Sequence, residues 1–233
     1  MEHRLSAFVY LCLCVSLGSA AEPVAFVRAP SSVLQDLQVA LDAGEPVIVV
    51  PAGEHSLTDA ALRSDGEHWI ICEPGAHIVQ RLTVAPLNLF EVHGGKLRVT
   101  GCRLSQVWAV RDLSGELAPI PEPTHERAHL IACYGAECDV EGCTLGPGIG
   151  DGVLLGPKTG GDVWTASRDC DVLDNRIERV RRNGITISSC ISCDVLRNLT
   201  LEVRGASPEC GVDVEPSDPR CEINRVRVDD LTC

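Results

Sequence analysis

The chain has few aromatic residues: 3 Phe, 3 Trp and 2 Tyr in 233 residues, 3% in all, with a single Met. It also lacks any run of about 20 apolar residues beyond one N-terminal candidate, which excludes a polytopic membrane protein. Its 21 Gly follow no triplet period, so it is not collagen-like. Basic residues are short too, at 20 Lys and Arg against 33 Asp and Glu. The resulting net charge of -13 argues against nucleic acid or an anionic membrane surface as partner. Intrinsic disorder is excluded by what is present, since 45% of the residues are hydrophobic and only 23% are charged.

The N-terminus reads as an address. The polar start MEHR precedes the apolar run 5–17, and Gly18-Ser19-Ala20 supplies small residues for a cut after Ala20. That is the order of a secretory signal peptide over 1–20, too short to span a membrane comfortably. The expectation is a secreted, extracellular protein with no membrane contact after cleavage. Of 13 Cys, Cys12 and Cys14 leave with the peptide and eleven remain. In an oxidising compartment these point to disulfides, with at least one cysteine left over.

The chain then repeats itself. KLRVTGCRL (96–104), ECDVEGCTL (137–145), DCDVLDNRI (169–177), SCDVLRNLTL (192–201) and RCEINRVRV (220–228) share a core. Cys138, Cys170, Cys193 and Cys221 align in one column, and Val99, Val140, Val172, Val195 and Ile223 in another. Past the next turn stand Cys102, Cys143, Asn175 and Asn198. A second set of short strands lies between these units. DGVLLG (151–156), NGITIS (183–188) and CGVDVE (210–215) align residue for residue, with LNLFEVHG (87–94) and AHLIACYG (128–135) as looser members. β-branched residues alternating at period two, with Gly at the strand starts, describe solenoid rungs rather than helical repeats.

From about Glu45 onward this pattern resembles the right-handed parallel β-helix proteins of the pectin-lyase-like superfamily. The segments NRIERVRRNGITIS and GVDVEP look like that superfamily's generic repeat, and PVIVVPAGEHSL (46–57) is similar to its opening rung. The fold expected is all-β: a right-handed parallel β-helix over 21–233 with an N-terminal capping helix. SSVLQDLQVALDAG (31–44) supplies that helix, with Ser32 as N-cap, Leu34, Leu37 and Leu41 on one face and Gly44 as terminator. The C-terminus stops at DDLTC within a rung and without a cap. A truncated chain is expected, with self-association through the open rung as one way to cover it.

Stacked rungs lie about 4.8 Å apart, within reach of a disulfide. Cys193 with Cys221, or Cys102 with Cys143, are candidate cross-rung bridges; a column of buried free thiols is the alternative. CISC (190–193) has the spacing of a redox motif but lacks its βαβ context. GPGIGDG (146–152) lacks the helix that a dinucleotide site needs and reads as a turn. The sequon at Asn198 is unavailable to a glycan if Asn198 joins an inward Asn ladder.

Chemistry is sought on the outward face of the GVDVEP strand. With Val212 and Val214 inward, Asp213 and Glu215 face outward about 7 Å apart, a spacing suited to acid and base on a sugar linkage. Crowding would raise one of their pKa values, as a general acid requires. Thr186 and Ser188 occupy the matching positions one rung earlier, and Leu154 and Gly156 the rung before that. Segments 105–127, with Trp108, Asp112, Glu116, His125 and Glu126, and 157–168, with Lys158, Asp162 and Trp164, are expected to wall a groove. Trp108 and Trp164 are its candidate sugar-stacking rings. Arg176, Arg179, Arg181 and Arg182 form a basic cluster that Glu178 and nearby acids can neutralise. The resemblance brings in calcium, which pectate-type lyases bind through clustered carboxylates, but no cluster of three close Asp is seen and no metal ligand is assigned.

The function expected is thus polysaccharide or glycan recognition, or its processing by a hydrolase, lyase or epimerase with Asp213 and Glu215 as the catalytic pair. A non-catalytic binding or adhesion module is the alternative, and a disulfide-rich structural wall protein is a third.

Overall fold

A computed structural model describes residues 27–28, 35–109, 128–160 and 163–232. The signal peptide 1–20, the helix positions Ser32 and Leu34, and Asp112, Glu116, His125, Glu126 and Asp162 lie outside the described residues.

Three parallel sheets make up the body. The first contains β1 (Val27–Arg28), β2 (Val47–Val50), β5 (Glu67–Cys72), β8 (Lys96–Thr100), β11 (Glu137–Glu141), β16 (Ser167–Leu173), β19 (Cys190–Leu196) and β22 (Ile223–Asp229), in that spatial order. The second contains β3 (Gly53–Thr58), β6 (Ala76–Leu82), β9 (Arg103–Trp108), β12 (Thr144–Leu145), β17 (Arg176–Glu178) and β20 (Leu199–Leu201). The third contains β4 (Leu62–Ser64), β7 (Phe90–Val92), β10 (Ile131–Tyr134), β13 (Val153–Gly156), β18 (Ile185–Ile187) and β21 (Val212–Val214). From β2 to β22 the chain visits first, second and third sheet in strict rotation. Among the described residues the rotation is interrupted by an antiparallel hairpin of β14 (Lys158–Gly160) and β15 (Val163–Thr165). This all-β arrangement of stacked parallel strands is consistent with a parallel β-helix.

The alternation read from the sequence becomes a ladder of like side chains. Ile48, Ile70, Val99, Val140, Val172, Val195 and Val228 are successive partners on the first sheet. The first six are fully buried. The last member corrects the sequence alignment, which had placed Ile223 in this column and Cys221 beside Cys193. In the structure Ile223 pairs with Cys190, Val226 with Cys193 and Val228 with Val195. That register sets three apolar residues on the inner column, whereas the expected one matched two.

Each nine-residue unit is two strands joined by a corner. Gly101, Gly142, Asp174, Arg197 and Asp230 stand at successive corners with φ of 68, 61, 56, 54 and 51°. Glycine adopts this conformation without strain, and the later rungs hold it with polar residues. Just past the corner, Asn175 and Asn198 form the expected inward ladder. Asn175 Nδ2 donates to Val140 O at 2.9 Å and Asn198 Nδ2 to Val172 O at 2.7 Å. Asn175 Oδ1 accepts from the Cys143 amide at 2.9 Å, and Asn198 Oδ1 from the Asn175 amide at 3.0 Å. Each side-chain amide thus pairs with the preceding rung, and Asn198, 1% exposed, is buried away from a glycan.

Glycine at the third-sheet strand starts has a separate cause. A Cβ on Gly152 would lie 2.6 Å from Gly184 O, and one on Gly184 would lie 2.4 Å from Gly211 O. The rungs approach too closely there for any side chain.

The N-terminal helix α1 (Gln35–Asp42) buries Leu37, Ala40 and Leu41 against the core and leaves Val39 exposed. Gly44, at φ 74°, ends it, and its amide donates to Leu41 O at 3.0 Å. The Gln38 side chain donates to Arg63 O at 3.0 Å and accepts from Arg63 N at 2.8 Å. It thereby satisfies edge groups of β4, the first strand of the third sheet, so α1 works as a cap.

Two cysteine pairs lie at disulfide distance: Cys72 with Cys102, Cα atoms 4.9 Å apart, and Cys133 with Cys138, 6.5 Å apart. Neither expected pairing forms. Cys102 lies beside the end of β5, where Cys72 takes it. Cys143 remains a buried thiol, pushed up to about 11 chiefly by burial. Cys193 and Cys221 are free and out of register with one another.

Candidate functional site

The third sheet presents its outer face to a groove of about 650 Å³, a size typical of a small-molecule or glycan subsite. Strands β7, β10, β13 and β18 pave the floor, Glu215 joins it just past β21, and the β14–β15 hairpin forms one wall. Among the lining residues are Tyr134, Trp164, Lys158, Thr186, Ser188, Arg182, Glu91, His129 and Glu215. Parallel pairing puts Leu154, Thr186 and Asp213 in one outward column, as the residue-for-residue alignment required.

Beneath the groove runs a polar network that the sequence did not expose. Asp151, fully buried, sits just before Gly152 and β13. Its carboxylate lies 3.2 Å from His129 Nδ1 and 3.2 Å from Arg182 Nη1, and it accepts from the Asn183 amide at 2.9 Å. Burial pushes the Asp151 carboxyl upward. The His129 hydrogen bond and charge, Arg182 and Thr186 outweigh burial and hold it below the usual range. Arg182 reaches onward through Nη2 to the Glu215 carboxylate. His129 is only 3% exposed yet lines the groove. Asp151, His129, Arg182 and Glu215 thus form one chain from the interior to the groove.

Asp213 stands behind Glu215. It accepts from Asn183 Nδ2 at 3.2 Å, and Asn183 Nδ2 also donates to Thr186 Oγ1 at 2.9 Å. Burial first, and the Glu215 carboxylate second, push the Asp213 carboxyl above its ordinary value. The expected crowding of the pair is therefore present, but only Glu215 lines the groove.

No protein-family model matches the chain, and no curated protein matches it. The residues themselves therefore carry the functional argument.

Of the six residues singled out from the sequence, Glu215, Thr186, Ser188 and Trp164 line the groove, and Asp213 lies directly behind. Thr186 is almost wholly covered, 1% exposed, by the contacts of Arg182 and Asn183. Trp164, on β15, is packed under the Arg220 guanidinium, 4.2 Å from the ring centre. Trp108 is elsewhere. It ends β9 on the second sheet, against Leu82, Leu87, Ala128 and Ile149. Segment 105–108 is thus strand rather than loop: Ser105 to Trp108 continue the parallel pairing of β9 onto β6, beside Val79 to Leu82.

Several groove residues were missed: His129, Asp151, Tyr134, His93 and Glu91. Tyr134 stacks on His93, ring centres 5.2 Å apart, and Glu91 lies 3.7 Å from His93. A signal existed for Asp151. It precedes the glycine of GVLLG as Asn183 precedes that of GITIS, so the two polar residues share a column. The basic cluster divides. Arg176 and Arg179 pair with Glu178 at 2.8 and 3.3 Å, as expected, while Arg182 turns to the groove.

Three aspartates do stack in space, which corrects the sequence reading that none cluster. Asp139, Asp171 and Asp194 are successive partners on the outer face of the first sheet. Lys96 and Arg98 pair with Asp139 at 3.3 and 3.0 Å. Among the described residues no group of three His, Cys, Asp or Glu is arranged to hold a metal ion.

Proposed function

We propose that this protein is a secreted right-handed parallel β-helix of the pectin-lyase-like type that takes a polysaccharide chain along the groove on its third sheet. The observation that carries the reading is the groove itself. Tyr134 and Trp164 line it, each with one ring face taken by His93 or Arg220, and Ser188, Arg182 and Glu215 bring polar groups to the same sheet face. Right-handedness follows the general rule for parallel crossovers. Two disulfide-distance cysteine pairs support an extracellular setting.

In the catalytic form of this reading, Asp213 and Glu215 act on the glycosidic linkage. Asp213, whose carboxyl burial and the Glu215 charge push upward, is the acid candidate, and Glu215, oriented by Arg182, faces the substrate. One observation favours the alternative, a binding module: both carboxylates already have partners, Arg182 for Glu215 and Asn183 for Asp213. A panel of neutral and acidic polysaccharides, scored for binding and for new reducing ends, separates the two. The enzyme reading expects cleavage that disappears in Asp213→Ala and Glu215→Ala variants that retain their fold. Retained binding without cleavage supports the module, and no binding across the panel removes both.

A further inference from the structure

The second outward column of the third sheet carries a side chain on every rung of the groove but one. His93 stands just past β7, Tyr134 ends β10, Ser188 follows β18 and Glu215 follows β21. Between Tyr134 and Ser188 the column holds Gly156, the last residue of β13 and the ladder partner of Tyr134. All five line the groove. The aligned segments DGVLLG, NGITIS and CGVDVE end in Gly156, Ser188 and Glu215. The same corner of the repeat therefore accepts a side chain on the two following rungs.

Nothing in the backbone asks for glycine at 156. Its φ lies outside the left-handed region that favours glycine. A Cβ on Gly152 or Gly184 would meet a backbone carbonyl at 2.6 or 2.4 Å, whereas the nearest backbone oxygen to a Cβ on Gly156 is Cys133 O, at 3.8 Å. The two closer atoms belong to side chains: Ser188 Oγ at 3.3 Å and Tyr134 Cδ1 at 3.7 Å. The Ser188 hydroxyl makes no hydrogen bond among the described residues. It is free to turn aside for a methyl group, and equally free to bond a ligand. Glycine carries an entropic cost on folding, and here neither a turn nor a close approach of backbone explains it.

We propose that Gly156 is kept bare so that the groove floor has a notch, and that the notch seats one hydroxyl group of a bound sugar. The inference rests on the groove being the glycan site and adds the residue that sets its fit. A sugar oxygen near the position of the missing Cβ has Ser188 Oγ on one side, 3.3 Å from that position, and the Tyr134 ring on the other. A shift of about 0.5 Å toward the serine gives an ordinary O–H···O bond. Leu154, two residues earlier on the same face, gives the sugar ring an apolar rest.

The test compares the full chain with Gly156→Ala and with Gly156→Ala/Ser188→Ala. Each is titrated by calorimetry with hexasaccharides of β-glucan, mannan, xylan, galactan and polygalacturonan, and unfolded in urea. The best-bound hexasaccharide should lose at least about tenfold in affinity in Gly156→Ala, the scale of one carbon in a fitted pocket. The unfolding midpoint should stay at or above that of wild type, because alanine narrows the unfolded ensemble. The double variant removes the hydroxyl that the new methyl group would crowd, and should bind no better than Gly156→Ala. Unchanged affinity in folded Gly156→Ala, or recovery of binding in the double variant, would overturn the notch and leave the glycan reading standing. A midpoint well below wild type in both variants would show that the glycine serves the fold, and would overturn it too. If no hexasaccharide binds wild type, the glycan reading falls and the notch falls with it.

Discussion

The two faces of the third sheet follow different rules. Inside, Ile131, Val153 and Ile185 stack as interchangeable apolar residues, fully buried and repeating from rung to rung. Outside, each rung contributes a different residue to one shared construction: His129 from before β10, Asp151 from before β13, Arg182 and Thr186 around β18, and Asp213 on β21 with Glu215 just past it. The inner face is a repeat and the outer face is a site. Stability is distributed over the first, whereas the second concentrates it at a few charges.

The sharpest way to break that contrast is at Asp151. Asp151→Ala leaves the buried end of Arg182 without its counter-charge and should cost about 4 kcal/mol in urea unfolding, more than a core truncation of similar size. A loss no larger than a surface substitution would show the network to be ornamental. Its pH signature has a definite sign. The folded-state pKa of Asp151 is depressed, so its contribution is complete above the unfolded value of about 3.9 and fades as pH falls through the lower, folded value. Wild type should therefore lose more stability on acidification than Asp151→Asn does.

Next in size is Gly184→Ala, which sets a Cβ 2.4 Å from the Gly211 carbonyl and should cost about 3 kcal/mol by spreading two rungs. Asn175→Ala tests the inner ladder. It strands the buried Cys143 amide and should cost about 2 kcal/mol, with the loss read from the shift in denaturant midpoint. The smallest effect belongs to the far surface. Arg81 and Glu54 pair at 2.9 Å at the half-exposed surface, and Arg81→Ala should leave thermal unfolding unchanged.

The same contrast explains what was legible in the sequence. Val140, Val172 and Val195 announced the inner column because neighbouring rungs repeat it in register. The final strand shows the limit. Both Cys221-x-Ile223 and Val226-x-Val228 fit the alternation, and only stacking three apolar residues on Cys190, Cys193 and Val195 decides between them. The groove was half legible. Glu215, Thr186 and Ser188 were placed by strand alternation, while Trp108 was misplaced because segment 105–108 continues a strand. Asp151 shared a polar column with Asn183, but its partner stayed hidden: the 3.2 Å contact with His129 joins two rungs and has no sequence period. Disulfide partners were hidden for a related reason, since Cys72 reaches Cys102 at a corner and not along a ladder.

The claim that the third-sheet groove is the glycan site is tested most directly by the affinity of the tightest-binding oligosaccharide for wild type and for Trp164→Ala, measured by calorimetry. Removing the ring on the groove wall should weaken binding at least tenfold, or about 1.4 kcal/mol, with the unfolding midpoint little changed. An unchanged affinity in a folded Trp164→Ala protein would place the sugar somewhere other than this groove.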